Sequence, residues 1–204
     1  MARRSNTEAR RAEITGALLA VIARHGYDKA TIQAIAAQAG LAPGLIHYHF
    51  RNKQEILVSL IAAMAQAGHA RYIAVLGDEV EPFHRLRAYL RARLSLGEGA
   101  APDIVSAWVM IGAEAVRQPE VRTVYRRMVA DEFALLATLL GDCLRASDRD
   151  PAIAGTLAAG LAAMIEGAYQ LSSAAADVLP RGYAAPAAIS YVELAIAAAP
   201  PSAR

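Results

Sequence analysis

The chain has one cysteine, one tryptophan and three phenylalanines in 204 residues. The lone Cys143 excludes an intrachain disulfide and a multi-cysteine metal site, and among Leu139, Leu140 and Leu144 it reads as a plain buried thiol. The five histidines (His25, His47, His49, His69 and His84) have no spacing that demands a metal. No Ser/His/Asp set, paired-carboxylate motif or phosphate loop appears. The expectation is therefore no catalytic residue, no metal, no cofactor and no enzyme activity. The opening Met-Ala-Arg-Arg-Ser-Asn-Thr-Glu has basic residues but lacks the apolar stretch of a secretory leader. Residues 152–176 come nearest to a membrane span, but Glu166 interrupts them and Gln170, Ser172 and Ser173 follow. They read as a buried helix of a soluble, cytoplasmic protein with no membrane partner. Alternating Val/Ile/Thr runs are also missing, so no strand is expected.

What is present is apolar and rich in alanine. Apolar residues make up 55% of the chain, enough for a sizeable core. Alanine loses no rotamer freedom in a helix, so the composition favours an all-α fold. Charge is distributed unevenly. Residues 1–55 carry eight basic and four acidic side chains, the remainder thirteen basic and fifteen acidic. A basic front on a mildly acidic body suits a DNA-reading head on a separate core.

Periodicity divides the chain into about nine helices. Ile14, Leu18, Val21 and Ile22 form one apolar stripe, with Asn6 or Thr7 available as the starting cap and Gly26 as the stop. Thr31 opens a second helix that Gly40 ends. A short third helix spans Pro43 to His49, and a fourth runs from Asn52 to about Leu76. Five more follow at about 82–96, 103–118, 119–147, 151–179 and 186–199, with Asp103 and Asp150 as candidate caps. The tail Ala-Ala-Ala-Pro-Pro-Ser-Ala-Arg is expected to fray. The domain division follows: a helix-turn-helix head over 1–52 and a sensing and dimerising body over 53–204.

Residues 31–57 carry the informative pattern. Ala36, Ala37 and Ala39 allow two helices to cross closely, Gly40-Leu41-Ala42 makes a tight turn, and a short polar helix follows, which is the helix-turn-helix arrangement. Gly44 lets backbone approach DNA, and His47, Tyr48 and His49 supply donors, acceptors and a flat ring.

This stretch resembles the TetR family of one-component regulators. The resemblance rests on Gly40, Leu41, Gly44, Ile46, His49, Phe50, Lys53, Ile56 and Leu57, with Gly26-Tyr27, Ala30-Thr31 and Ile35-Ala36 upstream. It implies a repressor that binds double-stranded, palindromic operator DNA as a homodimer and is released by a small organic effector. It also implies roles. Thr31 is a phosphate contact; Gly44, Leu45, His47, Tyr48 and His49 form the recognition face. Lys53 is a phosphate clamp, and Arg3 and Arg4 form a flexible arm. Ala42, Pro43 and His47 depart from residues common in the family. The alternative reading is a helical small-molecule-binding or scaffold protein without operator binding.

More weakly, Ala107-Trp108-Val109, Gln118-Pro119-Glu120-Val121, Tyr125-Arg126-Arg127 and residues 162–169 are similar to the choline-responsive, betaine-operon regulators of that family. The ligand-binding candidates are Trp108, Tyr125, Met128, Met164, Glu166 and Tyr169, with a cation as the first candidate effector; the alternative is that Trp108 is core and Glu166 pairs with an arginine at the dimer interface. The last two helices are expected to form the dimer interface. Gly155, Gly160 and Gly167 would allow close packing there, with Ala163 and Val192 as interface positions.

Overall fold

A computed structural model describes residues 2–95 and 102–202, with side chains from Asn6 onward. The described residues hold nine α-helices: α1 (Ala2–His25), α2 (Ile32–Ala39), α3 (Pro43–His49), α4 (Lys53–Leu76), α5 (Pro82–Leu94), α6 (Pro102–Arg117), α7 (Pro119–Ala146), α8 (Ala154–Ala174) and α9 (Ala184–Ala197). A 3-10 turn, Pro151–Ile153, precedes α8, and the only strand-like feature among them is one bridge between Arg149 and Pro201.

These helices form two compact units. One takes in the described residues of 1–66 and 101–128; the other takes in those of 67–100 and 129–204. In the first, α1 packs on α2, α3 and α6. Its apolar stripe is the reason: Ile14, Leu18, Val21 and Ile22 are buried, and so are Ile35 of α2 and Ile46 of α3. In the second, α5, α8 and α9 pack on one another, with Leu86, Leu90, Leu161, Ile165, Val192 and Ile196 inside.

Several boundaries depart from the sequence reading. The first helix starts at Ala2, so neither Asn6 nor Thr7 caps it. Arg3 and Arg4 belong to helical backbone and not to a flexible arm, because the Glu, Ala and Arg residues that follow favour continuation of the helix. The expected end of the fifth helix at Leu96 lies outside the described residues. Asp103 sits inside the first turn of α6, where its charge suits the helix dipole, and not at a cap. Asp150 does cap, accepting from the Ala152 N–H at 2.9 Å, but what it starts is the 3-10 turn.

The helix at 151–179 stops at Ala174 and buries one face only, through Ala154, Ala158, Leu161, Ile165, Ala168 and Tyr169. By length and composition alone, α4 and the Pro151–Ala174 segment could each span a membrane. The tail is tied down through Ser202. Asp150 N–H donates to the Pro200 carbonyl at 2.9 Å, and Ser202 N–H to that of Asp148 at 3.0 Å. The Arg149 guanidinium adds a bond to the Ala199 carbonyl at 2.9 Å.

Candidate nucleic-acid interface and sensing residues

The head is built on two caps. Thr31 Oγ1 accepts from the Ala34 N–H at 3.1 Å and starts α2. Gly40 ends it at φ 66°, a left-handed conformation that an L side chain resists. There its N–H donates to the Ala37 carbonyl and the Leu41 N–H donates to that of Ala36. Pro43 then opens α3, where its missing N–H costs nothing.

On α3, Ile46 points into the core while Gly44, Leu45, His47 and Tyr48 face outward. Tyr48 is 74% exposed although it is a large ring, and its edge meets His49 with centroids 5.0 Å apart. A Cβ built on Gly44 would meet nothing of this chain. Glycine inside a helix costs about 1 kcal/mol relative to alanine, so packing gives no reason for it. Thr31 is exposed as well, and His49 is half-buried.

Lys53 opens α4 next to Asn52, whose side chain accepts from the Glu55 N–H at 2.9 Å. The Lys53 ammonium donates to the Tyr27 carbonyl at 3.0 Å and sits 4.0 Å from the centre of the Tyr27 ring. Partial burial lowers its pKa, while Asp28, Glu114 and Glu120 act the other way. Burial, aided by Glu120 and Glu114, pushes the Tyr27 hydroxyl up to about 12. Glu114 is itself buried, with Arg117 at 2.9 Å and Gln118 at 2.8 Å.

Sequence reasoning missed Arg11. Its guanidinium donates to the His49 carbonyl at the end of α3, reaches Glu55 and Ser59 of α4 at 3.4 Å each, and covers the Phe50 ring at 3.9 Å. Glu55 also accepts from the Arg51 N–H at 2.8 Å, and that bond, with the Arg11 contact, holds its carboxyl below the usual range.

The six expected sensing residues divide between the units. In the first, Trp108 of α6 is buried and stacks on Tyr125 of α7, with centroids 4.7 Å apart and planes at 28°. Gly112 makes room for this stack: a Cβ there would come within 3.3 Å of the Tyr125 hydroxyl. Met128 is also buried. In the second, Met164, Glu166 and Tyr169 lie on α8, and Tyr169 is buried.

The second unit also holds a polar cluster that has no local sequence signature. The Arg93 side chain of α5 is 10% exposed and lies 3.3 Å from Glu132 of α7. Tyr89 donates to the same carboxylate at 2.6 Å, and Tyr169 donates to the Arg93 carbonyl at 3.1 Å. The Tyr72 ring of α4 meets Tyr89 edge-on at 5.9 Å. Burial works against the Arg93 charge, but Tyr169, Glu132, Tyr89 and Glu166 together raise its pKa. Burial also raises the Tyr89 and Tyr169 pKa values. These residues are scattered over four helices, so no local motif could reveal them.

Val192 is the clearest correction to the expected interface. It is 1% exposed within one chain, because α9 turns that stripe toward α5 and α8. The outward side of α9 carries Leu194, 72% exposed, and Tyr191. Ala163 of α8 is exposed. Gly160 receives the Tyr191 hydroxyl, which a Cβ would meet at 3.2 Å, whereas Gly155 and Gly167 face open space.

Known proteins share this architecture. Residues 14–60 match the bacterial regulatory proteins of the tetR family, and residues 82–197 match the BetI-type transcriptional repressor, C-terminal domain. The HTH-type transcriptional regulator BetI of Rhizobium meliloti (strain 1021) is 32% identical over 78% of this chain and 76% of its own. The BetI regulator of Paraburkholderia phymatum is 26% identical over 93% of this chain and 94% of its own. Among solved structures, a putative transcriptional regulator from Saccharomonospora viridis in complex with choline superposes with a TM-score of 0.78 at 22% identity, covering 91% of this chain and 96% of its own. A putative transcriptional regulator from Pseudomonas aeruginosa PAO1 gives the same TM-score and identity over 94% of this chain and 92% of its own. With an outward-facing recognition helix at one end and a BetI-type segment over most of the rest, this chain belongs to the TetR family of bacterial regulatory proteins and is a DNA-binding transcriptional repressor.

Proposed function

We propose that the protein binds a palindromic operator as a homodimer and releases it when the body takes up a small organic effector. The observation that carries this reading is the outer face of α3. Leu45, His47 and Tyr48 are exposed there, and Gly44 has a helical position that nothing in the chain requires. A surface that gives up burial of a tyrosine and keeps a glycine without an internal reason is built for an external partner. A major groove needs close backbone approach plus donors and a ring at base edges. Thr31 and Lys53, each at a helix start, supply phosphate contacts. Arg3 and Arg4 add positive charge for further phosphate contacts. In this reading residues 1–52 read DNA and residues 53–204 sense and dimerise, in the cytoplasm and without catalysis.

Dimerisation uses the outward stripes of α8 and α9. Ala159, Ala163, Tyr191 and Leu194 are exposed, and the open faces at Gly155 and Gly167 allow a second copy to approach closely. The effector candidates are Trp108, Tyr125 and Met128 in the first unit and Met164, Glu166 and Tyr169 in the second. Aromatic rings with a carboxylate suit a cation, and choline, bound by the Saccharomonospora neighbour, is the first to test.

The test is fluorescence anisotropy on inverted repeats taken from DNA flanking the gene, at several salt concentrations. Tyr48→Ala is expected to lose operator affinity by tenfold or more, roughly one base-contact's worth, with little change on unrelated DNA. Lys53→Ala is expected to weaken binding to all sequences and lower the salt slope by about one. Wild-type protein that binds operator and unrelated DNA alike would remove the operator reading.

A further inference from the structure

We propose that the second unit holds the carboxylate of an acidic small molecule between Arg71 of α4 and Arg93 of α5. This rests on the reading of the body as a sensor and adds an anionic group to what it senses.

Two buried donors of this unit are unused. The Nε–H groups of Arg71 and Arg93 are both buried and have no hydrogen-bond partner. Buried polar groups are nearly always paired, because an unpaired one loses its water and gains nothing in return. Here both orphans belong to guanidiniums, which do not escape by deprotonating. Arg93 is nine-tenths buried, and its Glu132 contact, at 3.3 Å through Nη2, leaves the Nε edge of the fork unused. Arg71 makes no ion pair or side-chain hydrogen bond among the described residues.

The two guanidiniums share a neighbourhood. The Arg93 head lies against Gly68 of α4, where a Cβ would meet its Nη1 at 3.3 Å, and Arg71 follows one helical turn later. Both act on the Tyr169 hydroxyl. Gly68 is therefore the residue that lets Arg93 reach the α4 surface beside Arg71. Two N–H donors from two planar cations match the two oxygens of one carboxylate. Glu132 and Glu166 nearby would repel a dianion, which favours a carboxylate over a phosphate. Tyr72, Tyr89 and Tyr169 supply an apolar wall for the rest of the molecule.

The test uses three probes of equal chain length on the full-length protein at neutral pH: hexanoate, hexan-1-ol and hexyltrimethylammonium. Binding is followed by calorimetry. Hexanoate is expected to bind and hexan-1-ol not. Arg71→Met keeps the aliphatic stem and is expected to weaken hexanoate by about tenfold or more, with hexyltrimethylammonium binding not weakened. Arg93→Met should do the same; since it also strands Glu132 and puts folding at risk, Arg71→Met decides. Failure of hexanoate to bind, or equal hexanoate affinity in wild type and Arg71→Met, overturns the proposal. Hexyltrimethylammonium binding in either case leaves the cation-sensing reading standing. Loss of binding by all three probes, with operator binding intact, removes the sensor class that both readings share.

Discussion

Arg11 illustrates how one side chain orients another element. Three contacts converge on it: the last carbonyl of the recognition helix, the first turns of α4, and the Phe50 ring. Charge near a helix C-terminus is favourable, and the ring face adds a cation–π attraction. The guanidinium is about one-third exposed, so water screens part of this, and removing it should cost roughly 1 kcal/mol of head stability. Arg11→Met is expected to reduce operator affinity several-fold while leaving the salt slope and non-specific affinity unchanged. A slope reduced by about one would instead make Arg11 a phosphate contact. Sequence alone leaves Arg11 open between a solvated helix charge and a DNA contact, because its partners lie 38 to 48 residues away. Thr31, Gly40 and Pro43 were legible for the opposite reason: caps and turns are local chemistry.

At the scale of elements, the apolar period found the nine helices of the described residues but did not assign their outer faces. The two helices of the expected interface separate the cases. Val192 lies on the inner stripe of α9 and Leu194 on the outer one, two residues away. A helix this rich in alanine has apolar residues all round, so periodicity has little contrast to read. Val192→Asp is expected to unfold the body, since a buried unpaired charge costs on the order of 4 kcal/mol or more. Leu194→Arg should leave helical content and melting of the monomer nearly unchanged, within about 0.5 kcal/mol, and shift the protein to monomer. Light scattering after gel filtration, together with circular dichroism, separates the two outcomes. A Leu194→Arg protein that remains dimeric would place the interface on another surface. The start of α1 and the anchored tail were illegible for different reasons. Helix-favouring residues carried α1 past two candidate caps, and the tail is held by backbone bonds to residues 148–150 that no composition reveals.

For the whole molecule, the compact unit that contains the recognition helix also contains the Trp108–Tyr125 stack. Through its contact with α1, α6 connects these within one packed body, and the Glu114 and Glu120 charges act on Tyr27 and Lys53. An effector that prefers one arrangement of the stack thus has a short mechanical route to the head, without any need for a distant relay. Release requires that the effector bind the DNA-free form more tightly, and the coupling must be reciprocal. If an effector lowers operator affinity by some factor, operator DNA must lower effector affinity by the same factor, typically about 5- to 150-fold. Trp108 makes this measurable, because no other indole contributes to the emission. Choline is titrated into free protein and into protein saturated with operator, following Trp108 emission. In parallel, operator affinity is measured with and without saturating choline. Equal factors in the two directions are expected. A choline affinity unchanged by operator, alongside an operator affinity that choline reduces, would mean that choline acts outside this two-state linkage and that the stack does not gate the head.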